Sequence, residues 1–297
     1  MTRSPFAPDL LAGKRILITG GGTGLGRGVA RHLVEHGAEV HLWGRRESVL
    51  DEAAAEASAS RPGSVHVQTV DVRDGDGVDA AMGRLWDRHG ALTGVVNNAA
   101  ANFIAPTESL SSRAFDAVTS TVMKGSFHTT HAAGRRWIEG GLPGSVVSTL
   151  TTWVWTGSAF VTPSAMAKAA VHSMTMSLAV EWARYGIRLN ALAPGPIPTE
   201  YAWDMLNPTD RSAVGATQAD QIPMGRTGTM TELAHLTMFL LSDACDYLTG
   251  QTIAMDGGQM LAGPGTFAGL TSLTAEDWAQ AREKSKAATA ASKAQRA

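Results

Sequence analysis

Short apolar runs alternate with longer segments of helical spacing along most of the chain. The runs are ILIT (16–19), AEVHLWG (38–44), SVHVQTV (64–70), LTGVV (92–96), SVVST (145–149), GIRLNALAP (186–194) and QTIAM (251–255). The first is a short apolar run that suits a buried strand, whereas SVHVQTV alternates apolar and polar residues as a strand does. Helical patterns over 25–36, 48–60, 112–139, 162–185 and 231–241 lie between them, the first ended by Gly37 and the second followed by Pro62-Gly63. Strand and helix in strict turn predict an α/β fold, a doubly wound parallel seven-stranded sheet with helices on both faces.

The first run breaks into glycines before its helix begins, with the spacing T-G-x-x-x-G-x-G over Thr19 to Gly26. Glycine at 20, 24 and 26 lets the backbone turn sharply and approach a phosphate. The helix start then offers unpaired N–H groups and a positive dipole end, so the implied ligand is a dinucleotide. The second strand ends in Gly44, Arg45 and Arg46. An acidic side chain there would accept from the 2′-hydroxyl of NAD, whereas arginine suits the 2′-phosphate of NADP. The expected cofactor is NADP(H), against the alternative that both arginines are the solvated start of the next helix. Asp71, at the end of the third strand, suits either an adenine amino group or a helix N-cap. The small residues of NNAAANFIAP (97–106) permit close backbone approach, and the prolines after residue 193 stop a strand and form a loop at the ligand edge. Residues 201–223 read as a partly helical segment covering a substrate. The Ala/Met/Thr faces of the two long middle helices read as subunit interface.

Composition narrows this further. The 297 residues are 44% hydrophobic with a net charge of −2, which leaves no basic field for nucleic acid. Cys245 is the single cysteine, which excludes an internal disulfide and a cysteine-rich metal site; no metal is expected. Neither a signal-peptide core nor a run of about 18 apolar residues is present, so no membrane partner and a cytoplasmic location are expected. One cofactor-binding domain spans 1–265, with a substrate loop at about 199–225. Residues 266–297 form an extension, helical from about Asp277 and frayed beyond.

TGGGTGLG (19–26), NNAA (97–100), the strand at 145–149, Ser164 with Lys168, and NALAPGPIPTE (190–200) occur together in one order. Over residues 10–258 the chain thereby resembles the short-chain dehydrogenase/reductase family, and within it the 2,4-dienoyl-CoA reductases, through NNAAANFIAPTESLS (97–111), TPSAMAK (162–168) and FAGLTSLTAEDW (267–278). The resemblance implies a Rossmann fold, a nicotinamide cofactor, a small-molecule substrate of the acyl-CoA type, and a homotetramer built on the two long helices. It places Gly20, Gly21, Gly22, Thr23, Gly24, Leu25 and Gly26 at the pyrophosphate and Arg45 with Arg46 at the 2′-phosphate. Asp71 and Val72 fall at the adenine, Asn98 and Ala99 along the cofactor, and Pro194, Gly195, Ile197 and Thr199 about the nicotinamide. Lys168 would bond the nicotinamide ribose, Asn102 would hold the substrate carbonyl, and Ser164 would stand beside it. Arg73, Phe103 and Ser111 would meet the acyl-CoA, with Arg73 equally readable as a solvated turn residue.

The chain departs from the pattern at the acid. Most family members carry Y-x-x-x-K, and this chain has Ser164-x-x-x-Lys168. The resembled reductases use a tyrosine 15 residues before the lysine, and that position is Trp153. An indole donates a hydrogen bond but keeps its proton, so Trp153 is either a polarising donor or a packing residue. Of the tyrosines, Tyr185 and Tyr247 read as core positions, leaving Tyr201 in the covering segment. Trp155, Trp203 and Met205 complete an apolar substrate pocket. Reduction of a conjugated C=C, with Asn102 and Trp153 polarising the carbonyl, fits this set. The alternatives are a carbonyl/alcohol oxidoreductase using Tyr201 or Ser164 with Lys168, an NADP-binding protein without catalysis and, last, a hydrolase using Ser164 and Lys168, for which nothing marks a separate oxyanion hole.

Overall fold

In a computed structural model, which describes residues 4–199, 219–262, 270 and 272–294, every apolar run forms a strand. β1 (Arg15–Thr19), β2 (Glu39–Gly44), β3 (Val65–Thr69), β4 (Gly94–Asn97), β5 (Gly144–Thr149), β6 (Ile187–Pro194) and β7 (Thr252–Met255) pair in parallel in the order β3-β2-β1-β4-β5-β6-β7. Successive strand residues feed different cores, as the two-residue period requires. Ile16 and Ile18 join Val96 and Val147 in one core, while Leu17, between them, joins Val95 and Val146 in the other. Both faces of the central strands are covered, so apolar side chains point to either side of β1, β4 and β5.

The first core is closed by α1 (Gly24–Glu35), α2 (Glu47–Ala57) and α8 (Met230–Leu241); the second by α3 (Gly75–His89), α5 (Gly125–Gly140) and α7 (Thr162–Trp182). The pattern at 112–139 is divided into α4 (Ser112–Thr119) and α5 by a π-helical stretch at Ser120–Lys124. There the hydroxyls of Thr119 and Thr121 donate back to the carbonyls of Phe115 and Ala117, a bond that competes with the helix ladder and bends it. α3 is capped by Asp74, whose carboxylate accepts from Gly77 N at 3.1 Å; the N-cap reading of Asp71 is thereby corrected. Single turns stand at α6 (Trp153–Thr156) and α9 (Gln259–Ala262).

The extension contains α10 (Ala275–Ala294). Trp278 and Ala281 bury themselves with Val161 and Leu270, and the Trp278 ring centroid lies 4.6 Å from that of Phe160. The extension is therefore packed onto the segment between β5 and α7. No described helix is long and apolar enough to cross a membrane.

Strand order reverses between β1 and β4, and the connections leaving their carboxyl ends diverge to opposite faces. That switch point opens a crevice at the carboxyl edge of the sheet.

Candidate active site

The glycine turn lies in this crevice and its geometry demands glycine. Gly20 has φ +65°, and a Cβ on it would stand 2.9 Å from the Ala99 Cα. A Cβ on Gly26 would stand 2.5 Å from the Gly20 carbonyl oxygen, so the α1 start packs directly on the turn. On Gly21 and Gly22 it would meet Leu42 at 2.6 Å and Val49 at 3.1 Å. Thr23 holds the N-cap position of α1 without a side-chain cap bond, and the first turn carries no acidic residue. An uncapped helix start beside a glycine turn fits a pyrophosphate.

The turn is tied to β4 by two side chains. The Thr19 hydroxyl accepts from the backbone N–H of Asn98 and of Ala99, both at 3.1 Å, and the Asn98 amide donates to the carbonyls of Thr19 and Gly20 at 3.1 and 3.2 Å. Asn98 thus positions the cradle through its side chain. Thr19 was not singled out from the sequence as a site residue; its only signal is its place before the first glycine.

Beyond the turn, a cleft of about 200 Å³ is lined by Thr23, Arg45, Arg46, Asp71, Val72 and Ala99 among others. Arg45 is exposed and Arg46 occupies the N-cap position of α2. Arg73 grips Asp71, with Nε 2.9 Å from Oδ1, and this hydrogen bond holds the Asp71 carboxyl below the usual carboxylate range. Two of the cations proposed from sequence therefore line the cleft, and the third neutralises its carboxylate.

At the other half of the crevice, α7 brings Ser164 and Lys168 onto one face, four residues apart. Both are buried. The Lys168 ammonium donates to the Thr149 carbonyl at the end of β5, and burial pushes its pKa down to about 8. The Ser164 hydroxyl and the half-buried Asn102 amide make no hydrogen bond among the described residues, which leaves both for a ligand. Thr151, just past β5, has a buried hydroxyl with no partner among the described residues; a residue two beyond the Lys168 anchor was not legible as a site residue.

Pro194 ends β6, and Gly195 N donates to Met255 O at 2.9 Å; a Cβ on Gly195 would strike the Asp256 Cα at 2.7 Å. The Ile197 side chain is buried in the first core and packs on Gly228, where a Cβ would lie 3.3 Å from Ile197 Cγ1, while Gly228 N donates to the Pro196 carbonyl at 3.0 Å. Thr199 Oγ1 lies 3.9 Å from where a Cβ on Gly24 would stand, so this loop comes back to the α1 start. Leu25 packs against the first core.

On the substrate side, Trp153 packs with Ile104, Phe160 and Leu273 against the cluster of Val161, Leu270 and Trp278. Trp155 is outside that cluster: it is exposed and stands edge-on to His172 of α7, with ring centroids 5.9 Å apart. Residues two apart on a helical turn do not face one another, so the two indoles do not form one aromatic wall. Phe160 is the single non-glycine residue with positive φ among the described residues, at +64°, and its carbonyl accepts from Ala105 N at 3.0 Å. Phe103 packs against the cluster of Val118 and Leu150. Ser111 caps α4, accepting from Ala114 N at 3.2 Å. Tyr201, Trp203 and Met205 lie outside the described residues.

Tyr185 and Tyr247 do not occupy the core. Tyr185 is 36% exposed, its ring covered by the Arg184 guanidinium at 4.7 Å, and Tyr247 is fully exposed. Both stand just before strands, at the amino edge of the sheet, opposite the crevice. Among the described residues the carboxyl edge therefore carries no phenol.

Residues 20–260 match the family described as enoyl-(acyl carrier protein) reductase. A Bacillus subtilis protein named as a probable 2,4-dienoyl-CoA reductase is 39% identical over 84% of this chain and 97% of its own length. The peroxisomal 2,4-dienoyl-CoA reductase of Danio rerio is 34% identical over 86% of this chain and 84% of its own. The crystal structure of a gluconate 5-dehydrogenase from Burkholderia cenocepacia, in complex with NADP and tartrate, superposes with a TM-score of 0.77 at 32% identity, covering 86% of this chain and 99% of that one. By the family match over most of its length and by these relatives, the chain belongs to the short-chain dehydrogenase/reductase family of oxidoreductases, which use a nicotinamide cofactor.

Proposed function

We propose that the chain is an NADPH-dependent reductase of a conjugated C=C bond, acting on a 2,4-dienoyl-CoA or an enone-like substrate. One observation carries the reading: Lys168 and an unpartnered Asn102 amide stand at the carboxyl edge of the sheet, where the described residues hold no tyrosine. Reducing a ketone needs a proton on the oxygen that gains charge. Reducing a conjugated C=C needs that oxygen polarised by donors, while the proton goes to carbon from water.

The glycine turn and the α1 start hold the pyrophosphate, Arg45 and Arg46 the 2′-phosphate, and Pro194 to Thr199 flank the nicotinamide. NADPH bound in this way supplies a hydride from C4. With a pKa of about 8, Lys168 remains mostly protonated at pH 7 and orients the nicotinamide ribose while keeping positive potential beside the substrate. Asn102 donates to the substrate carbonyl, with Trp153 as a second donor and Ser164 beside them. Arg73, Phe103 and Ser111 approach the acyl-CoA, and Tyr201, Trp203 and Met205 belong to the covering segment. Asn102→Ala is expected to lower kcat on the conjugated substrate about 100-fold with NADPH affinity unchanged; an unchanged kcat removes Asn102 from this role.

A second reading, carbonyl reduction, is favoured by the buried Ser164 hydroxyl one turn before Lys168, or by Tyr201. The homotetramer belongs to the same proposal, supported by the exposed Phe127 of α5 and the exposed Met166, Met176 and Val180 of α7, and light scattering reads it. So does the cytoplasmic location, against which the peroxisomal name of the zebrafish relative stands; imaging the tagged full chain distinguishes them.

A further inference from the structure

At the amino edge of the sheet, far along β2 and β3 from the cofactor crevice, three histidines converge on one carboxylate. Glu39 and His41 share a face of β2 by their two-residue spacing, and the parallel register places His66 of β3 directly opposite His41. His89, the last residue of α3, closes the group. Around Glu39 Oε1 stand His66 Nε2 at 3.1 Å, His41 Nε2 at 3.5 Å and His89 Nδ1 at 3.7 Å, and all four ligand atoms lie within 4.8 Å of one another. Bonds of about 2.0 Å in a tetrahedron put neighbouring ligand atoms about 3.3 Å apart, so modest contraction of the outer pairs would complete the shell.

A second observation points to a ligand. His41 is 3% exposed, and its Nε2 is buried without a hydrogen-bond partner among the described residues, despite the nearby carboxylate. A buried ring nitrogen aimed at the centre of such a group, with no proton acceptor or donor in bonding geometry, is costly unless something occupies the centre. The other Glu39 oxygen is already held, by Arg15 Nε at 3.2 Å, and Arg15 is itself fixed by the Ala91 carbonyl at 2.9 Å. That arrangement orients the carboxylate from outside, as partners of metal ligands do.

We propose that Glu39, His41, His66 and His89 form a binding site for one divalent transition-metal ion of the zinc class, separate from the cofactor crevice. Three imidazoles and one carboxylate suit Zn²⁺, Co²⁺ or Ni²⁺, and disfavour Mg²⁺ and Ca²⁺, which take oxygen ligands. The ion would join β2, β3 and α3 at the ends opposite Arg45 and Asp71. Half-buried His66 and His89 give it a path from solvent.

The full chain, stripped with a chelator and dialysed, is titrated with Zn²⁺ alone by calorimetry, with Tm measured with and without zinc and Co²⁺ as a visible-absorption probe. One zinc per chain, a higher Tm with zinc and a tetrahedral Co²⁺ spectrum are expected. His66→Gln and His89→Gln replace the less buried ligands, so the metal-free fold survives. Each is expected to weaken zinc at least about 100-fold and abolish the Tm rise while leaving NADPH affinity unchanged. Absence of stoichiometric zinc, or equal zinc binding by wild type and both variants, overturns the proposal.

Discussion

Adding one methyl group at Gly26 separates the cradle geometry from ordinary helix energetics. In a helix, Gly→Ala normally stabilises by about 0.8–1 kcal/mol, because glycine loses the most backbone freedom. At Gly26 the new Cβ would lie 2.5 Å from the Gly20 carbonyl oxygen and 2.6 Å from Asn98 Nδ2. The first neighbour is backbone of the turn itself and cannot rotate aside. Overpacking of this kind costs about 1–3 kcal/mol, so after the helix gain the net loss is up to about 2 kcal/mol, equivalent to a Tm lower by up to about 8 °C in a domain of this size. Gly83, inside α3, is the control: a Cβ there meets only the Arg136 Nη2 at 3.4 Å, the far end of a long side chain. Gly83→Ala should raise Tm by about 1–4 °C. The same shift of α1 away from Gly20 misplaces the helix start, so Gly26→Ala should also weaken NADPH at least about tenfold by fluorescence titration, whereas Gly83→Ala should not. A Gly26→Ala protein as stable as wild type, with unchanged NADPH affinity, would refute the reasoning that close packing of α1 on the turn builds the pyrophosphate site.

Lys168 makes the stability of the cofactor-free protein depend on pH. Its pKa is lowered from 10.5 to about 8 by burial, so between those values the unfolded chain binds more protons than the folded one, and stability rises with pH by on the order of 3 kcal/mol. Urea midpoints at pH 8 and pH 10 should show this rise in wild type and a flatter profile in Lys168→Met, which should also lose at least about 100-fold in kcat. Arg45→Ala should raise the KM for NADPH about 10–100-fold, the worth of a charge-assisted hydrogen bond, and leave the KM for NADH nearly unchanged; equal effects on both would return Arg45 to a solvated role.

The sheet was legible because its central parallel strands are covered on both faces, so that Ile16 to Ile18 and Val146 to Val147 serve two cores at once. The glycine turn was legible for a related reason: Gly20 and Gly26 admit no Cβ. Legibility failed where sequence-distant residues meet. Nothing around Asp71 distinguishes it from Asp74 as a cap, and the choice follows from where α3 begins. Trp153 acquires its neighbours from the extension, through Trp278 and Leu273, more than a hundred residues away. Ile197 has a loop sequence and a core environment because Gly228 leaves room for it. Tyr185 and Tyr247 are exposed although they flank strands, because they stand at the amino edge. The histidines at 41, 66 and 89 carry no motif; parallel register and the end of α3 bring them together.

The most direct test of C=C reduction follows the label from NADPH deuterated at C4 into the product of a 2,4-dienoyl-CoA, read by mass spectrometry and NMR. The account predicts an enoyl-CoA with one deuterium on a former diene carbon and the thioester intact. Deuterium on a carbinol carbon with ketone substrates, and no turnover of the dienoyl-CoA, would contradict it.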